Sequence, residues 1–167
     1  ILYFIIITFD NDQVISLILY FVKNIPAGLS LTVVTSSLNI ALELMREPEI
    51  EVIQLGGILR KSSSSVMGVY AEQILQDFYF NTLFLGVDGI DLDYGLTTTN
   101  AMEAHLNRKM ISVSQKIVVL ADSTKFGKRG FGKICGLEDI DHIITDKGIS
   151  QQIVKHLEGL GVTVTIV

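Results

Sequence analysis

The stretch Leu83-Phe-Leu-Gly-Val-Asp-Gly-Ile-Asp91 decides the fold of this chain. A short apolar run breaks off in glycines and carboxylates, as a buried strand does when it delivers a loop to the carboxyl edge of a parallel sheet. Gly95-Leu-Thr-Thr-Thr99 follows, and Lys116 to Leu120 is a second such run, leading into Ala121-Asp-Ser-Thr-Lys125. Carboxylates, glycines, hydroxyls and a lysine at strand ends are where α/β proteins bind small anionic ligands.

Outward from this stretch, strands and helices alternate. Ile1 to Phe9 is rich in β-branched and aromatic residues and reads as a buried parallel strand. It is too short to span a membrane, which needs roughly 20 apolar residues. It also lacks the basic start and small-residue cleavage site of a signal peptide. The chain begins at Ile1 rather than Met and enters this strand with no lead-in, so a missing upstream part is expected.

Val14, Leu17, Ile18 and Phe21 then give the apolar stripe of a helix, ended by Asn24-Ile-Pro-Ala-Gly28. Leu31 to Val34 is the next strand, and Ser36 or Ser37 caps a helix carrying Leu38, Leu42 and Met45 on one face. Glu51 to Leu55 is a third strand. Further along, the pattern predicts helices around 71–78, after Thr99 (carrying Met102, Leu106, Met110 and Val113) and over 153–160. The remaining strands are predicted at 116–120, 140–144 and 162–167. Such alternation implies βαβ units and a mainly parallel sheet. The 167 residues read as one domain without a linker or repeat.

Composition narrows the function classes. With 49% apolar and 19% charged residues the chain is globular, and a net charge of −5 gives no electrostatic footprint for DNA binding by this piece alone. The single cysteine, Cys135, excludes an internal disulfide and fits a reducing cytoplasm. The three histidines show no metal-ligand spacing. No phosphate-binding P-loop, dinucleotide fingerprint or hydrolase elbow is present.

Several segments carry alternative readings. Thr35-Ser-Ser37 is either a plain helix cap or a phosphate seat built on free N–H groups and hydroxyls. Gly56-Gly57 is a turn or a close backbone approach. Ser62 to Ser65 is a solvated loop or a lid. Asp88 and Asp91 either close Asx-turns or accept hydrogen bonds from ligand hydroxyls. Thr97, Thr98 and Thr99 lead into a helix for which Asn100 is an alternative cap. Glu103 in its first turn suits the helix dipole. Lys125 is placed as a counter-charge for phosphate or carboxylate. The run Lys125, Lys128, Arg129 and Lys133 is a solvated loop or, less in keeping with its setting, a nucleic-acid contact.

Taken in order, these segments are specific. Val33-Val-Thr-Ser-Ser-Leu-Asn-Ile-Ala41, Leu55-Gly-Gly-Ile-Leu-Arg60, Leu85-Gly-Val-Asp-Gly-Ile-Asp91, Gly95-Leu-Thr-Thr98, Leu120-Ala-Asp-Ser-Thr-Lys-Phe-Gly127 and Ile144-Thr-Asp146 resemble the effector-sensing domain of DeoR-type transcriptional repressors. The resemblance implies a Rossmann-like, mainly parallel α/β fold with helices on both faces, related to ribose-5-phosphate isomerase and glucosamine-phosphate deaminase. It implies a phosphorylated sugar as effector, operator DNA bound through an N-terminal winged helix-turn-helix absent from this chain, a homo-oligomer, and no cofactor, metal, membrane or catalytic role. On this reading Thr35, Ser36 and Ser37 take the phosphate and Asp88 with Gly89 takes sugar hydroxyls. Thr97, Thr98 and Glu103 close the pocket, and Lys125 supplies counter-charge.

The isomerase kinship supplies an alternative. Asp88, Gly89, Asp91 and Glu103 look like the isomerases' Asp-Gly-x-Asp motif and glutamate base, but the segment between Asp91 and Glu103 holds no lysine. The family's hydroxyl-rich loop after the first strand is also replaced, by Thr8-Phe-Asp-Asn-Asp-Gln13. Its two carboxylates would repel a nearby phosphate.

Overall fold

The computed structural model of the protein describes residues 2–8 and 30–167. The helix expected over Val14 to Phe21, the turn at 24–28 and all of the altered loop beyond Thr8 lie outside the described residues.

Seven strands form one sheet: β1 (Leu2–Ile7), β2 (Ser30–Thr35), β3 (Ile50–Gln54), β6 (Phe80–Gly86), β9 (Ser114–Leu120), β11 (His142–Thr145) and β12 (Thr163–Ile166). Their order is β12-β11-β9-β6-β1-β2-β3, and every neighbouring pair is parallel. From β1 the chain builds outward through β2 and β3 on one side. It then returns to the other side of β1 and builds through β6, β9, β11 and β12. The reversal lies between β1 and β6, and ligands in such sheets bind beyond the carboxyl ends at that point.

Pleating divides the apolar residues between two cores. Ile6, Val34, Leu83, Leu85, Ile117, Val119 and Ile143 face one way. Ile5, Ile7, Leu31, Val33, Val118 and Leu120 face the other. The first face is covered by helices α2 (Val69–Leu75), α3 (Ala101–Ser112) and α4 (Gln151–Gly159) through Ala71, Leu75, Ala104, Leu106, Met110, Val154 and Leu157. The second is covered by α1 (Leu38–Leu44) through Ile40 and Leu44. Helices thus lie on both faces, as expected.

Two helix faces differ from the sequence reading. On α1, Leu42 and Met45 are 59% and 72% exposed, while Ile40, Ala41 and Leu44 are buried. The cap sets this phase. Thr35 donates its hydroxyl to the Ile7 carbonyl (2.8 Å) and accepts the Ser37 N–H (3.0 Å), and Ser37 Oγ accepts from the Ile40 N–H (3.3 Å). The entry from β2 is thereby fixed, and residues three, four and seven beyond Ser37 turn to the sheet. On α3, Asn100 is the cap, accepting from the Met102 and Glu103 N–H groups. Ala104, Leu106, Asn107 and Met110 are buried there, and Met102 is exposed.

Two small antiparallel sheets were not legible as strands. One is the hairpin β4 (Ile58–Arg60) and β5 (Ser65–Met67), entered through Gly56-Gly57, with the serine run at its tip. The other has the order β10-β8-β7, from β7 (Gly89–Asp91), β8 (Gly95–Thr98) and β10 (Gly132–Cys135). Asp91 and Arg129 pin this sheet. Arg129 donates from Nε (2.6 Å) and Nη2 (2.9 Å), and the N–H groups of Asp93 and Tyr94 also point at Asp91 Oδ1. Arg129 also lies over the Tyr94 ring, 5.1 Å from its centroid. So Asp91 closes an Asx-turn and an ion pair; it is not among the residues lining the cavity described below.

Two tests follow from this packing. Gly95 has φ +99°, and a Cβ there would lie 2.1 Å from the Cys135 carbonyl oxygen. Gly95→Ala combines left-handed strain with overlap, and should cost about 2–4 kcal/mol, read as a lower urea midpoint. The second concerns acid. The Arg129 hydrogen bonds, then those from the Tyr94 and Asp93 N–H groups, hold the Asp91 carboxyl down to about 2. Its unfolded value is about 3.9, so its contribution to stability is complete above that pH and is lost as the pH falls through about 2. The stability gap between the wild type and Asp91→Asn should therefore shrink between pH 5 and pH 2. A constant gap would contradict the assignment.

Candidate functional site

A cavity of about 470 Å³ opens at the carboxyl ends of β1 and β6, where the strand order reverses. Its walls come from four places. Thr8 and Gly86-Val-Asp88 follow the two central strands, Asn39 comes from α1, Thr98 and Glu103 from β8 and α3, and Arg60 with Ser62, Ser63 and Ser64 from the hairpin.

Asp88 organises the floor. Its N–H donates to the Thr97 carbonyl (3.0 Å). Its Oδ2 accepts from the Thr98 hydroxyl (2.9 Å), the Thr99 N–H (2.8 Å) and the Thr99 hydroxyl (3.0 Å). Burial pushes the carboxyl's pKa up. The Thr99 and Thr98 donors and the positive charge of Lys125 outweigh it, so the pKa is lowered and Asp88 is ionised at neutral pH.

Thr98 links this group to Glu103, whose Oε2 lies 2.6 Å from the same hydroxyl. One hydroxyl has one proton to give, so two carboxylates share it. Each has other donors: Thr99 for Asp88, and for Glu103 the Arg60 guanidinium, whose Nη1 donates to Oε2. Arg60 Nη2 donates to Thr99 Oγ1 (3.1 Å). The polar chain therefore runs from Lys125 through Asp88, Thr98 and Glu103 to Arg60, with the ends positive and the middle negative.

The nine residues picked out from the sequence fall into two groups. Asp88, Thr98 and Glu103 meet in the cavity. Thr35, Ser36, Ser37, Gly89, Thr97 and Lys125 are not among its lining residues. Their local roles explain why. Thr35 and Ser37 spend their hydroxyls on the β2–α1 turn, and the Leu38 N–H donates to the Ser64 carbonyl (2.8 Å), so the hairpin tip occupies the turn proposed for the phosphate. Ser36 is 4% exposed, and its carbonyl accepts from the Val66 N–H. Thr97 donates to the Gly89 carbonyl (3.1 Å) and accepts the Gly130 N–H (2.8 Å). Gly89 is required by close approach, since a Cβ there would lie 2.5 Å from the Lys128 carbonyl oxygen. Lys125 sits on the turn Ser123–Lys125 after β9 and acts on the site through its charge on Asp88.

Arg60 was missed. It ends the Leu55-Gly-Gly-Ile-Leu-Arg60 segment, and only the hairpin fold, invisible without the Ser37–Ser65 bridge, turns it onto Glu103. Among the described residues there is no group of three His, Cys, Asp or Glu side chains that could hold a metal ion. No helix among them is long and apolar enough to cross a membrane. Cys135 is buried. Burial, then the charges of Asp139 and Glu138, push its thiol up to about 12, which suits packing and not nucleophilic attack. The cavity thus offers hydroxyl-binding carboxylates, small hydroxyls and one guanidinium.

Comparison with known proteins gives the family. The family model described as the DeoR C terminal sensor domain matches residues 16–147. A protein of Escherichia coli O157:H7, whose name gives it as a candidate transcriptional repressor of the aga operon, is 43% identical over 80% of this chain and 49% of its own length. The HTH-type transcriptional regulator YulB of Bacillus subtilis, called uncharacterized, is 39% identical over 89% of this chain and 57% of its own. The HTH-type transcriptional regulator GlpR of Haloferax volcanii is 36% identical, covering 85% and 55%. The chain spans about half the length of the curated relatives it matches. A solved structure of eIF2B delta from Chaetomium thermophilum aligns with a TM-score of 0.47 at 18% identity, over 75% of this chain and 42% of that one. On the family model and these relatives, this chain belongs to the DeoR C-terminal sensor domain family, the sensing part of DeoR-type transcriptional regulators.

Proposed function

We propose that the chain is a single effector-sensing domain whose cavity binds a phosphorylated sugar or a related metabolite. Binding then alters how a winged helix-turn-helix in the same polypeptide holds operator DNA. The observation that carries this reading is the pairing, in one cavity at the sheet's reversal, of two carboxylates suited to sugar hydroxyls with a guanidinium and three serines suited to an anion. Asp88, Thr98 and Glu103 take the sugar. Lys125 adds its charge to the Thr99 and Thr98 donors that keep Asp88 ionised, and the phosphate lies toward the hairpin and Arg60. Thr35, Ser36, Ser37, Thr97 and Gly89 serve as scaffold for these groups.

The mechanism is a population shift. The ligand favours one arrangement of domains or subunits because it binds that arrangement more tightly, and the DNA reader follows. A homo-oligomer in the cytoplasm suits a reader of paired half-sites. An isomerase is the second reading, favoured by the presence of both Asp88 and Glu103 in the cavity. It is disfavoured by the absence of a lysine between Asp91 and Glu103 and by the ion pair that Glu103 makes with Arg60. A carboxylate engaged with a guanidinium is not free to reach a substrate proton.

Thermal unfolding against ribose 5-phosphate, fructose 6-phosphate and glucosamine 6-phosphate, with the free sugars as controls, tests the reading. A ligand at 100 times its dissociation constant adds about 2.7 kcal/mol, a rise in Tm of roughly 5–10 °C. Asp88→Asn should weaken that ligand by about tenfold while the domain remains folded. Conversion of aldose to ketose phosphate by the wild type would favour the enzyme instead. A flat panel with the domain folded would remove the sugar phosphate as effector.

A further inference from the structure

The charges around the cavity do not balance for an anionic ligand as they stand. Asp88 and Glu103 place two carboxylates on its wall, and among the described residues Arg60 is the one cation that lines it. A phosphate entering there meets two negative charges and a guanidinium already engaged with Glu103 and Thr99. While that engagement lasts, the guanidinium is not free to offset the repulsion from the two carboxylates.

The position of Arg60 allows the change. It closes β4, next to the tip whose Ser62, Ser63 and Ser64 face the same cavity. Its side chain and that of Glu103 are 22% and 25% exposed, so the pair is reachable from the cavity and not sealed in a core. The tip itself is held from the other side by backbone bonds, Leu38 N–H to the Ser64 carbonyl and Val66 N–H to the Ser36 carbonyl. Arg60 can therefore turn by side-chain rotation alone while the serines stay in place.

We infer that Arg60 is the phosphate-binding residue of this cavity, and that a phosphate displaces Glu103 from it. The inference rests on the sugar-phosphate reading of the cavity given above. Arg60 gives Glu103 one nitrogen, Nη1, and spends Nη2 on Thr99, whereas a phosphate can take both in a forked pair, so the exchange gains a donor for the anion. Glu103, released, keeps the Thr98 hydroxyl at 2.6 Å and gains the hydroxyls of the sugar. Phosphate capture and sugar recognition are thereby coupled: the anion frees the carboxylate that reads the sugar. An unphosphorylated sugar leaves the Arg60–Glu103 pair closed. The exchange also removes the ion pair that ties the hairpin to α3.

The test is a cycle of variants of this chain, each checked by circular dichroism for folding and titrated with inorganic phosphate. Arg60→Met should raise the phosphate dissociation constant by about tenfold or more. Glu103→Gln frees the guanidinium and should lower it by about three- to tenfold. In the Arg60→Met background the Glu103→Gln gain should vanish, because the gain acts through Arg60. A gain that persists there means Glu103 acts only by its charge, and overturns the inference. So does unchanged phosphate affinity in Arg60→Met. If Arg60→Met does not fold, Arg60→Lys serves: it keeps the charge, loses the fork and should still weaken phosphate several-fold. Sugar phosphates that stabilise the wild type, with inorganic phosphate indifferent to every variant, would overturn this inference and leave the effector reading standing. A panel in which no sugar phosphate binds would overturn both.

Discussion

Everything on the functional edge of this domain hangs from the carboxylate of Asp88. It is partly buried at the end of β6, and ionised burial without partners would cost several kcal/mol. The chain meets that cost with the Thr99 N–H and the hydroxyls of Thr98 and Thr99, all of them supplied by the segment that leaves β8. Satisfying the charge therefore fixes where the small antiparallel sheet docks on the large one. It also fixes where Asn100 starts α3 and which way Glu103 points from its first turn. The cavity is a by-product of solvating one carboxylate with protein instead of water.

The large sheet was legible because its signal is local. Runs such as Ile5 to Ile7, Leu31 to Val34 and Ile117 to Leu120 are apolar on both pleat faces, which only a strand covered on both sides requires. Helix existence was legible for the same reason, but helix phase was not. In Leu38 to Met45 almost every turn offers apolar residues, so Leu42 and Met45 looked as eligible for burial as Ile40 and Leu44. The choice was made by Thr35 and Ser37, whose hydroxyl contacts set the angle at which the chain leaves β2. The small sheets were hidden for a different reason. β7, β8 and β10 are three or four residues long and rich in glycine and threonine; β7 and β8 form a short hairpin, and β10 joins them only by pairing with a strand distant in sequence.

The site divided along the same line. Asp88, Thr98 and Glu103 could be picked out because each sits just after or before an element whose end is visible in the sequence. Thr35, Ser37 and Thr97 were chosen by the same rule, yet their hydroxyls turned inward to close turns and strand ends. A hydroxyl at a strand terminus serves backbone or ligand according to what lies opposite, and that depends on tertiary structure. Arg60 shows the converse. Nothing in its neighbourhood marks it, since Lys61 and Arg60 read as ordinary charges before a serine run. Its role depends on a hairpin that crosses from the α1 side of the cavity to α3.

Sensing and catalysis make opposite demands on a carboxylate pair, and this separates the two readings of the fold. A proton-abstracting base needs a pKa near working pH and freedom from strong donors. Here Asp88 is held ionised by three donors and a nearby lysine charge, and Glu103 carries a guanidinium. Asp88, so held, does not trade protons readily, and both carboxylates are good acceptors for hydroxyls in a fixed geometry. On the proposed reading the cavity discriminates by which hydroxyls it can satisfy, because a carboxylate left without a donor once Arg60 turned away would be penalised. Selectivity for the sugar and responsiveness to its phosphate would then both pass through one residue, Glu103, changing partners. On that reading, two carboxylates in one cavity would serve to report on a metabolite by accepting its hydroxyls, without moving its protons.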